Sequence, residues 1–229
     1  MKKLFTLAVL LLATATTASA QFATGKSGGS KGGNTASTEN WKRIFVSYNA
    51  ISIEKQDLDG FSLGYAHSFN IARSLPLFIE IAPHVTYGFA TIKSGDMNFD
   101  FDFDDYDFDD DDYDTSDPKI SYLGVNIPVN VAYKFAIGNS DFSLVPYLGL
   151  NFRVNVLAQY KAGDYKLNYF NKNDMGEDGK FKRFQLGGQV GLGFNYKHLY
   201  AGVGYGFDFM ELAKKTKMSV VSISLGYNF

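Results

Sequence analysis

The chain has 229 residues, no cysteine, a formal net charge of −2, and an aromatic share of 16% carried mostly by 21 Phe and 15 Tyr. Without cysteine it can form no disulfide and carry no lipid on an N-terminal Cys. Beyond the N-terminal segment it offers no run of about 18 apolar residues, which excludes a transmembrane helix.

Residues 1–20 read as an export signal. Lys2 and Lys3 form a positive start, Leu4 to Ala13 a short apolar run, and Ala18-Ser19-Ala20 a small-residue cleavage site. Cleavage after Ala20 is expected. Residues 21–40 are rich in Gly, Ser and Thr and read as a flexible linker. From Trp41 onward the pattern has period two, and residues 41–229 are expected to form the folded domain.

Eight strands are predicted: 42–52, 60–70, 76–90, 120–135, 143–157, 183–196, 199–208 and 218–229. Each alternates an apolar set with a small or polar set. In the first, Ile44, Val46 and Tyr48 oppose Arg43, Phe45, Ser47 and Asn49. In the fourth, Val125, Ile127, Val129 and Val131 oppose Gly124, Asn126 and Asn130. In the seventh, Ala201, Val203, Tyr205 and Phe207 oppose Tyr200, Gly202, Gly204, Gly206 and Asp208. The polar sets contain few charges, unlike a water-washed surface. Gly, Ser and Asn suit the crowded lumen of a narrow barrel, which leaves the apolar sets facing lipid.

The connections support closure into a membrane barrel. Ile71–Leu75, Ala136–Asp141 and Lys197–His198 are short, and the intervening links are longer, with two long ones at Thr91–Lys119 and Ala158–Lys182. Short periplasmic turns and long outer loops mark outer-membrane barrels. Outward aromatics also sort into two bands, Tyr48, Phe61, Tyr87, Phe89, Phe152, Phe184 and Phe207 above, and Phe69, Tyr133, Phe135, Phe194, Tyr196, Tyr227 and Phe229 below. The fold class is therefore all-β: an eight-stranded antiparallel up-and-down transmembrane β-barrel in the outer membrane of a Gram-negative bacterium.

Two stretches carry further signals. Leu225-Gly226-Tyr227-Asn228-Phe229 resembles the assembly signal that barrel-insertion machinery reads, with Leu225, Tyr227 and Phe229 at alternate positions. Tyr122 to Val131 (YLGVNIPVNV) and Pro146 to Leu150 (PYLGL) resemble consecutive strands of the small outer-membrane β-barrel domain family, the OmpA/OmpX-like and PorT-like barrels. The resemblance covers about residues 41–229. It implies the same fold and the same membrane. The long acidic second outer loop and the absence of an appended peptidoglycan-binding domain depart from that pattern.

Candidate sites are few. Asp96 to Asp117 holds twelve Asp and no Lys or Arg, while the rest of the exported chain carries 20 basic against 12 acidic residues. Asp100, Asp102, Asp104, Asp107 and Asp109 are candidate Ca²⁺ ligands, since calcium takes six to eight oxygens. The segment lacks the usual glycine turn, so a solvated, self-repelling loop is the plainer reading, with a divalent cation or a cationic extracellular partner as the alternative. Arg43, Glu80, His84, Lys134, Arg153 and Asp208 fall on the lumen parity, and ion pairing is expected because an unpaired buried charge is costly. Glu80 sits low, near Arg43 and Lys134; Arg153 and Asp208 both sit high. His67 is expected to face lipid, His84 the lumen, and His198 a turn.

No catalytic constellation, cofactor motif or nucleic-acid footprint stands out. The functional expectation is a non-enzymatic outer-membrane barrel with a structural, adhesive or ligand-contacting role through its outer loops. Its partners would be membrane lipid and the insertion machinery. A lipid A-modifying enzyme and a narrow pore are the alternatives.

Overall fold

Extended, alternating segments satisfy their backbone groups by pairing, and here pairing closes the sheet on itself. The computed structural model describes residues 38–53, 56–72, 74–91, 118–138 and 140–229, all within the unit Asn34–Phe229. Its strands are β1 (Trp41–Ile53), β2 (Gln56–Asn70), β3 (Leu77–Ile81), β4 (His84–Thr91), β5 (Lys119–Tyr133), β6 (Phe135–Ala136), β7 (Phe142–Ala162), β8 (Tyr165–Asn168), β9 (Phe184–Tyr196), β10 (Leu199–Asp208) and β11 (Met218–Asn228), with one helix, α1 (Lys172–Gly179). Antiparallel pairing runs β1–β2–β3/β4–β5–β7–β9–β10–β11, and β11 pairs back to β1. These strands form an eight-stave ring, with β3 and β4 in one stave, β5 and β6 in another, and β8 outside it. Closure removes the free edges that hydrocarbon would not tolerate. No helix among the described residues is long and apolar enough to cross a membrane.

The third stave is broken where one continuous strand was expected. Pro83 lacks an N–H, so the ladder lapses at Ala82-Pro83. The register is nevertheless kept, with Ile81↔Val129 below the break and His84↔Asn126 above it. The Pro83 carbonyl still accepts from the Tyr65 N–H at 3.0 Å.

The alternation sorts as the period demands. Arg43, Phe45, Ser47 and Asn49 are buried, and Ile44, Val46 and Tyr48 are 52%, 54% and 42% exposed, which in a closed barrel is the lipid face. Leu225, Tyr227 and Phe229 continue that outer face on the last stave, with Val46↔Leu225 and Ile44↔Tyr227 in register. The Phe229 backbone exchanges hydrogen bonds with Lys42, tying the two terminal staves together. Both ends of the ring segment and the turns after β2, β6 and β9 lie at one end, assigned to the periplasm by the rule for such barrels.

The outer end departs from expectation in two places. The first outer connection is not a longer loop. β1 and β2 stay paired to Ile53↔Gln56, so only residues 54–55 link them. Ile51 and Leu58 face inward there, and their burial holds the ladder together past the lipid band. The stretch 158–182 is not a plain loop either. β7 runs for 21 residues, where a tilted membrane strand needs about 9–11. It then turns through Gly163 (φ 56°) into β8 and on to α1. That helix is short and poor in helix formers, and contains Gly176 at φ 69°. Local hydrogen bonds anchor its start: Asn171 caps the Asn173 N–H, and Asp174 accepts from the Asn168 backbone N–H at 2.9 Å.

Candidate functional site

The lumen is where the polar alternation converges, and it is layered. In the lower layer Arg43 donates to Glu80 Oε2 at 2.8 Å, with both side chains at most 6% exposed. Ser68 donates to the same carboxylate oxygen at 3.0 Å. Gln189 reaches across to Asn130 Oδ1 at 2.7 Å, bridging β9 to β5. The Arg43 guanidinium also lies 3.7 Å from the centroid of Tyr200, a cation–π contact inside the barrel. Such a pair is tolerated because carboxylate, hydroxyls and ring together replace the lost water.

Lys134, expected near this level, does not join the ion pair. It is half-buried at the periplasmic mouth, with Nζ 5.1 Å from the Trp41 ring. Trp41 in turn meets the fully buried Phe78 edge-on at 4.3 Å, forming a floor.

The middle layer is uncharged. Asn49, Ser62, Thr86, Asn126 and Asn151 link side chain to side chain across β1, β2, β4, β5 and β7 at 2.7–3.3 Å. His84 faces this lumen and bonds the Ala82 carbonyl through Nδ1 at 3.0 Å. A cavity of about 110 Å³ threads the layers, lined by residues from Arg43 and Glu80 below to Arg153 and Asp208 above. That is room for several waters at roughly 10–15 Å³ each. Arg43 Nε and Asn151 Oδ1 lack protein partners and belong to residues that line it.

In the upper layer Arg153 donates to Asp208 Oδ2 at 2.6 Å, again with both side chains at most 5% exposed. Arg153 Nε donates to Asn155 Oδ1 at 3.1 Å, and Tyr122 donates to the same oxygen at 2.8 Å. Asp208 also accepts the Met218 N–H at 3.3 Å.

Glycine explains how aromatic rings fit so narrow a tube. A Cβ on Gly191 or Gly204 would collide with the Tyr147 hydroxyl, and one on Gly193 or Gly202 with the Tyr200 ring. One on Gly124 would strike Tyr122. Two of these seats have the same local form, Tyr122-x-Gly124 and Tyr200-x-Gly202, in which a ring lies along its own strand over the glycine two residues on. Gly202 and Gly204 of β10 are thus beds for tyrosines.

Above the upper layer the lumen ends in an apolar cap. Ile51, Leu58, Ile120, Tyr122, Ala158, Leu212 and Met218 are buried together, with Tyr160, Tyr169, Phe170 and Phe181 packed against them. The cap requires a β-bulge. Pairing shifts between Leu123 and Gly124 against Leu157 and Asn155, which turns Ala158 and Tyr160 inward. Burial, with Tyr160 beside it, holds the Tyr169 phenol above its usual range. This cluster was not expected from the sequence; the repeated Tyr-x-Gly spacing was the available signal for Tyr122.

The remaining candidates form no further cluster among the described residues. Asp100, Asp102, Asp104, Asp107 and Asp109, with the whole acidic segment, lie outside the described residues, as do the export signal and most of the linker. Among the described residues no group of three or more His, Asp or Glu could hold a metal ion. His67 stacks on Phe69 at 3.9 Å on the outer face, and His198 sits in the β9–β10 turn, bonded to the Asn228 carbonyl. Neither is near Arg153 and Asp208.

The family described as type IX secretion system membrane protein PorP/SprF matches residues 80–227, well over half of the chain. No curated protein sequence matches. Among solved structures, Ail, the attachment invasion locus protein of Yersinia pestis, is similar at 13% identity, covering 83% of this chain and 99% of that one, with TM-score 0.45. The outer membrane enzyme PagL is similar at 12%, covering 82% and 98%, with TM-score 0.45. A major outer membrane protein from Thermus thermophilus is similar at 13%, covering 83% and 100%, with TM-score 0.44.

Proposed function

The chain belongs to the PorP/SprF family of outer-membrane proteins, and from that premise we propose that it is a non-enzymatic structural component of type IX secretion, acting through its outer surfaces and not through its lumen. One observation carries the proposal. The lumen is filled by two buried ion pairs, an amide and hydroxyl layer and tyrosines on glycine seats, and an apolar cap closes its outer end. A conduit would need the reverse, a continuous wet path. The placement of the three histidines away from the outer rim supports the non-enzymatic reading, since a lipid-modifying centre would gather its base there.

The same proposal assigns residues 1–20 to export and 21–40 to a linker, with the mature protein starting at Gln21. It gives Leu225, Tyr227 and Phe229 the role of insertion signal, and the acidic segment 96–117 that of an electrostatic contact for a divalent cation or a basic partner.

The test has two arms. Purified protein in a planar bilayer should give no steady conductance, and a deletion strain should release less exported protein while its lipid A mass spectrum is unchanged. Sustained single-channel current, normal secretion by the deletion strain, or altered lipid A would each overturn the proposal.

A further inference from the structure

Among the described residues, the β9–β10–β11 part of the outer rim is strongly basic. β9 does not stop at Phe184 as a contact surface. The backbone continues beside the extension of β10, with Phe209 N–H on the Leu186 carbonyl at 2.9 Å and Lys182 N–H on the Leu212 carbonyl at 2.7 Å. Two short segments, 180–183 and 209–217, are thereby held side by side just above the lipid band. Together they carry Lys180, Lys182, Arg183, Lys214, Lys215 and Lys217, against one acid, Glu211. All six cations are exposed.

The level of that cluster is set by its neighbours. Lys182 precedes the outward Phe184 by two residues, about 7 Å along a strand. Lys217 precedes Ser219, which pairs with the outward Phe207. Phe184, Phe207 and Phe209 are 50%, 41% and 47% exposed; Phe184 lies beneath Lys182 and Phe207 beneath Lys217, with Phe209 beside Lys217 in the continued β10–β11 register. Phe207 and Phe209 contact each other edge-on at 5.4 Å and cover the outward-facing Gly188. An open cleft of about 570 Å³ adjoins, lined by Phe170, Phe181, Lys180, Lys182 and Arg183. Near the outer end of β2 the exposed charges are instead Asp57 and Asp59, the latter bonded by the Tyr48 hydroxyl.

We propose that the β9–β10–β11 rim binds a phosphate-bearing lipid of the outer leaflet, with Lys182 and Lys217 on its headgroup phosphates and its acyl chains over Phe184, Phe207 and Phe209. Charge complementarity and height both fit. Lys182 stands two residues above Phe184, and Lys217 two above Ser219, the register partner of Phe207, so cations at headgroup level top aromatics at acyl level. A soluble acidic partner would use the cations but not the apolar surface under them.

The experiment uses the mature chain in phosphatidylcholine nanodiscs doped with bisphosphorylated lipid A, followed by release into mild detergent and native mass spectrometry. Wild type should retain lipid A over phosphatidylcholine. Lys182→Gln with Lys217→Gln should lower retention about 25-fold, on the order of five-fold per lysine near a charged surface. Lys42→Gln, at the periplasmic end, should leave retention unchanged. Equal retention by the double variant, or an equal loss in Lys42→Gln, would overturn the proposal. Displacement of lipid A by millimolar inorganic pyrophosphate would overturn the commitment to a lipid, because phosphate alone would then be what the rim reads. Failure of pyrophosphate to compete, with the double variant impaired, is the expected result.

Discussion

Replacing Arg153 by Met tests whether the upper ion pair holds the barrel or merely occupies it. Arg153 and Asp208 meet at 2.6 Å with side chains 5% and 4% exposed. The substitution removes two hydrogen bonds, to Asp208 and to Asn155. Asn155 keeps the Tyr122 hydroxyl, whereas Asp208 is left with the Met218 N–H alone. The cost therefore falls on the carboxylate, and breaking a buried pair from one side is worth about 3–5 kcal/mol. With a urea slope of roughly 2 kcal/mol per molar, the unfolding midpoint in detergent micelles should drop by about 2 M. Adding Asp208→Leu should restore most of the loss, because the double variant buries no unpaired charge. A loss below about 1 kcal/mol in the single variant, or a double variant less stable than the single, would refute the account.

Other outcomes follow from the same geometry. Gly191→Val should cost about 1–3 kcal/mol by displacing Tyr147, while Gly206→Ala, whose nearest atoms are 3.8 Å away, should be close to neutral in the same urea titration. Val129→Lys on the lipid face should cost about 2–4 kcal/mol near mid-membrane, and a spin label at 129 should be reached by a lipid-soluble quencher that misses a label at the adjacent, buried Asn130. Phe229→Lys should reduce the folded, heat-modifiable band in cell membranes while leaving urea stability of the refolded barrel near wild type; normal membrane yield would count against an insertion role for the last stave.

The staves were legible because lipid and lumen impose opposite chemistry on alternate residues. A strand such as Ile44 to Asn49 has one consistent reading. Height along each stave then paired charges that are far apart in sequence, so Arg153 and Asp208 could be set at one level 55 residues apart. What escaped has physical causes as well. Pro83 breaks a ladder without shifting its register, so nothing in the alternation announces it. The bulge at Val156 reverses parity for Ala158 and Tyr160, and period counting cannot see an inserted residue. The helix Lys172–Gly179 contains two glycines and little apolar content, and is held by side-chain bonds that only the folded loop brings together.

The outer cap shows why loop function and lumen packing are linked in this barrel. An eight-stave tube leaves room for side chains but not for a channel. Strands that outrun the membrane, as β7 does, carry inward positions beyond the polar layers, where water would otherwise meet apolar side chains. Ile51, Leu58, Ile120 and Met218 solve this by burying one another, and Leu212 from the β10–β11 loop and Phe181 from the 169–183 excursion complete the cluster. The two loops are thereby fixed to the barrel by hydrophobic contact as well as by the Lys182–Leu212 backbone bond. Their lysines are presented from an anchored base. A rim built this way can hold a fixed charge pattern against the membrane, which a pair of free loops could not.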